Sequence, residues 1–328
     1  MGSGCSAWAD SILESLMLTP RHSSEVRTLR SRGAAIMLAL WALFLLAAMV
    51  ISWALDIDSR FALSSNANRR LEAVAMACSG AEGALNPQIK AGSPNLRRQL
   101  GDRRSYEARI TGEGGRLNIN GIVQFALAGQ PQRLEILRSY LENKGIDLNE
   151  REHMLDSLLD WVDPDNLVRL NGAEDDEDYH PTNGLFTRIE ELKKVKGWEE
   201  FTAEPNWDQD FTLNTNTNDP IDITSASRDV LLALPGMNDQ IVDRFLELRR
   251  GPDGIDGSDD DMQFKAEAEI QAALGLRPDQ YQQLRPLISF QSSVYRVISI
   301  GKSGDARRTV QVVFRKGGLP QIIAWKEF

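Results

Sequence analysis

Eight carboxylates fall within nineteen residues of this chain: Asp160, Asp163, Asp165, Glu174, Asp175, Asp176, Glu177 and Asp178. Only Arg169 opposes them inside that window. Oxygen-rich clusters of this kind suit calcium, which takes six to eight oxygen ligands. Mutual repulsion among so many carboxylates favours a bound cation. The spacing is not that of an EF-hand loop, because Leu167 and Arg169 stand where oxygen ligands are needed. A solvated acidic loop is the other reading, and the residues alone leave both open. Asp253, Asp256, Asp259, Asp260 and Asp261 form a weaker second group that reads as a solvated loop. The segment Leu231 to Asn238, followed by Ile241 and Arg244, resembles a helix-hairpin-helix. Asn238 replaces its second glycine, and Asp229, Asp239 and Asp243 would repel phosphate. A packing hairpin is the expectation there. The histidines, His22, His153 and His180, are scattered, and no zinc spacing, nucleophile elbow, phosphate loop or dinucleotide fingerprint occurs.

The elements that must position these groups begin with an uncharged run of 23 residues, Gly33 to Leu55, behind Arg21, Arg27, Arg30 and Arg32. A helix of about 20 apolar residues spans a bilayer core. The run exceeds the apolar core of a signal peptide, and the arginines should stay cytoplasmic. From these residues alone, a single-pass anchor with its bulk exported is expected. No Gly or Pro occurs from Ala34 to Ser79, so a helix of up to about 50 residues is expected, ending over Gly80, Gly83 and Pro87.

Residues 91–104 read as a loop. Tyr106–Ile110 and Arg116–Asn120 alternate like strands around Gly112, Gly114 and Gly115, which predicts a hairpin. From Gly121 to about Trp161, apolar residues recur at helical spacing. Short helices are expected within 185–202, from Thr224 or Ser225 to Leu234, from Asp239 to Arg250, near 265–274 and near 279–284. Val294–Ile300, Thr309–Phe314 and Ile322–Trp325 predict a closing three-strand meander, whose strands could return to the first pair and make the helical block an insertion in one sheet.

The chain has 328 residues and a net charge of -10. That acidity argues against nucleic acid as a partner and is compatible with divalent cations. The cysteines are Cys5 and Cys78, so no internal disulfide is available beyond the apolar run.

Several motifs occur together in one order. They are Arg32-Gly33-Ala34 with the apolar helix, Gly115-Arg116-Leu117-Asn118-Ile119-Asn120, and Leu159-Asp160-Trp161-Val162-Asp163-Pro164-Asp165. Asn171-Gly172-Ala173-Glu174-Asp175 with Tyr179, Ile189-Glu190-Glu191-Leu192 with Val195-Lys196-Gly197, and Leu234-Pro235-Gly236 follow. In these the chain resembles protein K of type II secretion systems, a minor pseudopilin family.

The resemblance implies an α+β pseudopilin fold: a long N-terminal transmembrane helix, a small antiparallel sheet and a large inserted helical domain. The implied divisions are a cytoplasmic leader at 1–33, the helix at 34–85, pilin-like strands at 86–120, the inserted domain at 121–290 and completing strands at 291–328. Prepilin peptidase would cut between Gly33 and Ala34, with Ala34 then methylated. Most pseudopilins carry a glutamate as fifth mature residue, where Leu38 stands here. Protein K typically lacks it, and a subunit with no neighbour above has no amine for that carboxylate to meet. The resemblance also implies calcium, for which Asp163, Asp165, Glu174, Asp175 and Asp178 are the favoured ligands. It implies a non-enzymatic protein of the inner membrane, with a periplasmic C-terminal domain at the pseudopilus tip. Implied partners are the minor pseudopilins I and J, the prepilin peptidase, the inner-membrane assembly platform and secreted substrate proteins. The alternative is a permanently anchored helix-hairpin-helix protein of DNA uptake.

Overall fold

A computed structural model describes residues 25–258 and 260–328, with side chains described from Gly33 onward. Most of the expected leader, with Cys5, lies outside the described residues. The chain divides into two compact units at Ser65/Asn66, and helix α1 (Glu25–Ala84) contributes to both.

In the first unit α1 presents apolar side chains on every face. Leu38, Trp41, Phe44, Met49 and Trp53 are all exposed. A helix apolar on every face is compatible with a single-pass membrane anchor. The segment Gly33–Ala84 contains a stretch long and apolar enough to cross a membrane.

The second unit starts with the rest of α1, whose character changes. Ala73, Ala77 and Ala81 recur every four residues, so they share one face, and all three are fully buried. That face lies on a five-stranded antiparallel sheet. Its strands are β1 (Arg97–Leu100), β2 (Arg104–Gly112) and, from the end of the chain, Val294–Ser303, Ala306–Arg315 and Gln321–Glu327. Strand β2 pairs directly with Val294–Ser303, from Arg104 opposite Ser303 to Gly112 opposite Tyr295. Everything between Gly112 and Val294 is therefore an insertion into one sheet. Ala77 and Ala81 pack with Ala108, Ile110, Val297, Val310, Val312 and Phe314 in a compact core.

The insertion carries β3 (Leu117–Asn118), α2 (Ile119–Leu127), α3 (Gln132–Asn143), α4 (Leu148–Asp160), α5 (Glu199–Ala203), β4 (Phe211–Thr212) and β5 (Ile221–Asp222). Helices α6 (Arg228–Leu232), α7 (Asp239–Arg250), α8 (Glu267–Leu274) and α9 (Pro278–Leu284) follow, then β6 (Ile288–Ser289). The sheet strands of the chain end are β7 (Val294–Ser303), β8 (Ala306–Arg315) and β9 (Gln321–Glu327). A second core gathers around Trp198, Tyr140, Phe211 and Phe245, all nearly inaccessible.

Three expectations are corrected. The hairpin of Tyr106–Ile110 with Arg116–Asn120 does not form. Residues 113–115 make a 3-10 turn, and Leu117-Asn118 pair in parallel with Phe211-Thr212 instead. The reason is burial: Leu117 and Ile119 belong to the helical core, which an antiparallel return along β2 would have denied them. Gly115 allows the redirected chain to pass, since a Cβ there would lie 2.4 Å from the Ser225 carbonyl carbon. The segment expected as loop contains β1, paired with β2. Helix α1 ends at Ala84, inside the expected Gly80–Pro87 span, and Gly80 is where it closes on Tyr106 and Ser299. In 185–202 the helical character splits into a 3-10 turn, Ile189–Lys194, and α5.

Candidate metal centre

The Gly115–Asn120 segment is a joint that seats the acidic loop. The Asn118 carboxamide oxygen accepts from Gly121 N at 2.9 Å and caps α2, while its Nδ2 donates to Thr215 O at 2.9 Å. Asn120 clamps the far end of the loop: its Nδ2 donates to Phe186 O and its Oδ1 accepts from Phe186 N, each at 2.9 Å.

The near end is set by α4. Asp147 caps it, accepting from Asn149 N at 2.8 Å. Met154, Leu155, Leu158 and Leu159 then pin it into the core. That packing carries Asp160, the last helical residue, to complete burial. Trp161 follows, stacked on Phe186 with ring centroids 6.2 Å apart, and Tyr179 lies against it at 5.9 Å. The loop therefore closes over an aromatic cluster with its first acids facing inward.

Carboxylate oxygens of Asp160, Asp163 and Glu174 all lie within 4.8 Å of one another, and all three residues are buried. Gly172 permits the approach, since a Cβ there would sit 1.9 Å from Asp160 Oδ2. One cation opposes the three acids: Arg169 Nη1 donates to both Asp160 and Asp163. The balance is incomplete. Asp163 Oδ1 and both carboxylate oxygens of Glu174 are buried without a hydrogen-bond partner. Burial pushes the Glu174 carboxyl up from its ordinary range, and Asp160, Asp163 and Asp165 add to the rise. Buried carboxylate oxygens normally find partners, and the unpartnered oxygens of Asp163 and Glu174, beside Asp160, are donors of the kind a hard divalent cation takes. The residues present fit calcium.

Of the favoured ligands, the structure brings together Asp163 and Glu174. Asp165 is exposed, and its Oδ1 accepts from Leu167 N at 2.9 Å. Asp175 faces His180, with Oδ1 2.6 Å from Nδ1. Asp178 lies on the exposed bend, its amide donating to Asp176 Oδ1 at 2.8 Å. None of these three falls in the buried group. The residue left out of the favoured set is Asp160. Its signal was present: an acid inside Leu158-Leu159-Asp160-Trp161-Val162 must enter the core with its neighbours, and a buried carboxylate demands a positive partner.

The other candidates resolve into structure. In the second acidic loop, Asp256 pairs with Arg249 and Arg250 at 2.9 and 3.0 Å, while Asp259 lies outside the described residues. In the α6–α7 hairpin, Arg228 pairs with Asp239 and Asp243, and Arg244 Nη2 donates to Leu274 O at 2.7 Å. Leu231 and Leu234 face the core, as a packing hairpin requires.

Residues 115–204 match the family model of type II secretion system protein K, a span running from the Gly115–Asn120 joint through the acidic loop to the end of α5. Type II secretion system protein K of Dickeya chrysanthemi is 36% identical over 69 residues, 20% of each chain. Its counterpart in Pectobacterium carotovorum subsp. carotovorum is 32% identical over 91 residues, 24% of this chain and 28% of the relative. The putative protein K of Escherichia coli K12 is 23% identical over 188 residues, 51% of this chain and 58% of the relative. These alignments span less than two thirds of each relative. The fold is similar to a chain in the crystal structure of the GspK-GspI-GspJ complex from enterotoxigenic Escherichia coli. That likeness has a TM-score of 0.53 at 14% identity, over 83% of this chain and 99% of that one. The joint and the acidic loop are in place, and over residues 115–204 this chain matches the type II secretion system protein K family.

Proposed function

We propose that the chain is a minor pseudopilin at the tip of a type II secretion pseudopilus, where it helps initiate assembly and supports protein export across the outer membrane. The observation that carries this reading is the helical block inserted between β2 and β7 of a single small sheet. A subunit repeated along a shaft has no room for such a block, whereas a terminal one does. Leu38 in the apolar helix agrees, since an end subunit has no neighbouring amine to neutralise a buried carboxylate. The role is structural, with no catalytic step.

In this reading α1 anchors the protein in the inner membrane and the second unit lies in the periplasm. Prepilin peptidase cuts between Gly33 and Ala34, and Ala34 is then methylated. Proteins I and J are the expected partners, the pairing named in the similar solved complex. The assembly platform and secreted proteins are further contacts. Calcium, held by Asp160, Asp163 and Glu174, would supply the positive charge that ties α4 to the loop. Asp165, Asp175 and Asp178 are left to the loop's own turns and pairs.

Mass spectrometry of the N-terminal peptide from native cells tests the reading. A chain starting at methylated Ala34 is expected. A chain retaining Arg30-Ser31-Arg32-Gly33, in cells with active peptidase, would sink it in favour of a permanently anchored hairpin protein.

A further inference from the structure

At one end of the sheet the β1–β2 turn and the β7–β8 turn lie side by side, joined by Gly304 N donating to Arg103 O at 2.9 Å. They border a cleft of about 450 Å³ beside Arg69 of α1. Arg69, Arg103, Arg104 and Lys302 line it, and Arg307 and Arg308 stand opposite Lys302 and Gly301 in the β7–β8 ladder. Nearby Arg97 is paired with Glu107 at 3.3 Å, but none of these six cations has an ion-pair partner among the described residues. Asp102 and Asp305 are the acids of the cleft. A positive end is unexpected on a chain of net charge -10. Charged side chains held together without partners raise the local potential and attract an extended anionic surface.

The position of the patch along the chain favours one such surface. Arg69 follows the apolar run in the same chain, and from Leu55 to Arg69 the backbone spans at most about 50 Å even fully extended. A membrane holding that run therefore lies permanently within reach of the patch. Tethering makes the encounter intramolecular, so contacts too weak to hold a free protein suffice here. Clustered Lys and Arg close to a membrane segment are the usual recogniser of anionic lipid headgroups.

We propose that the Arg69–Arg103–Arg104–Lys302–Arg307–Arg308 patch docks the second unit onto an anionic phospholipid surface. This rests on the reading of α1 as a membrane anchor. Docking would hold the sheet down in the membrane-resident subunit, and lifting into a fibre would release it.

The test uses the full chain with Cys5→Ser, Cys78→Ser and Gln99→Cys, labelled at position 99 with a fluorophore and reconstituted into vesicles carrying a headgroup-attached quencher. With phosphatidylglycerol present, quenching should be about fivefold stronger than in pure phosphatidylcholine, the factor expected for even one cation near an anionic surface. It should fall to the phosphatidylcholine level in about 1 M NaCl, where the Debye length is about 3 Å. The combined Arg103→Gln, Arg104→Gln, Lys302→Gln and Arg307→Gln variant should show the same loss without salt. Neutralising Lys194 and Lys265 on the helical block should change nothing. Equal quenching in both lipids, or quenching that survives both salt and the four substitutions, overturns the docking proposal alone. Flotation separates the anchor reading. Protein that fails to float with phosphatidylcholine vesicles overturns the anchor. If it then floats only with phosphatidylglycerol, the patch is supported; if it floats with neither, both readings fall.

Discussion

Arg296 on β7 donates from Nε and Nη2 to the two carboxylate oxygens of Glu113, at 2.7 and 2.6 Å, and joins the sheet to the first turn of the inserted block. Glu113 is fully buried, and it also accepts from Arg116 Nη1 at 3.1 Å and Thr212 Oγ1 at 2.5 Å. The pair spans two cores that are otherwise separately packed.

Removing one partner of a buried pair leaves the other charge uncompensated, at about 3–5 kcal/mol. Arg296→Met should therefore destabilise the second unit by about 3 kcal/mol, read as a lower urea midpoint at neutral pH. Glu113→Gln should cost at least as much, since it leaves both Arg296 and Arg116 without their counter-charge. Negligible costs for both would show that packing rather than charge sets the junction.

The same pair has a pH signature. Burial works to raise the Glu113 carboxyl, but Arg296 and Arg116 outweigh it, so its folded pKa lies below the ordinary glutamate range. A depressed carboxyl contributes stability that is complete above the unfolded pKa and lost as pH falls through the folded one. Wild-type stability should drop on acidification below that range, and Glu113→Gln should flatten this part of the profile.

Glu174 has the opposite sign. Its folded pKa is raised, chiefly by burial and then by Asp160 and Asp163. Without metal, the folded state takes up the proton more readily, so stability from this group rises as pH falls through the folded pKa and is lost as pH rises. Glu174→Gln should accordingly stabilise the calcium-free protein at neutral pH while abolishing its response to calcium. A chelator-treated sample scanned with and without the ion reads both effects.

Calcium at a hundred times its dissociation constant should stabilise wild type by about 2.7 kcal/mol. Asp160→Asn and Asp163→Asn should remove that gain, and Asp178→Asn should keep it. An undiminished thermal shift in Asp163→Asn would dismiss the buried carboxylates as the site.

Gly301 sits under α1, where an added Cβ would lie 2.0 Å from Ala73 O and 2.3 Å from Ala77 N. Backbone cannot rotate away, so Gly301→Ala should cost about 3 kcal/mol, the upper range for overpacking. At Gly80 the nearest atoms belong to the side chains of Ser299 and Tyr106, which can turn. Gly80→Ala should cost about 1 kcal/mol. Paired urea titrations check the order.

What could be read from the residues alone is what local pattern controls. The apolar run from Gly33 to Leu55, the helix Asp239–Arg250 and the closing meander each follow from periodicity and flanking residues. The acidic loop was visible as a concentration of charge, and Asp163 and Glu174 as members of it. Tertiary packing decided the rest. Leu117 pairs with Phe211 rather than with its sequence neighbours because both side chains are needed in one distant core. Asp160 becomes part of the candidate centre, and Asp165, Asp175 and Asp178 do not, because α4 carries only the first of these inward. Period and composition state which residues prefer to be buried, whereas which acids meet depends on where the whole core draws the backbone.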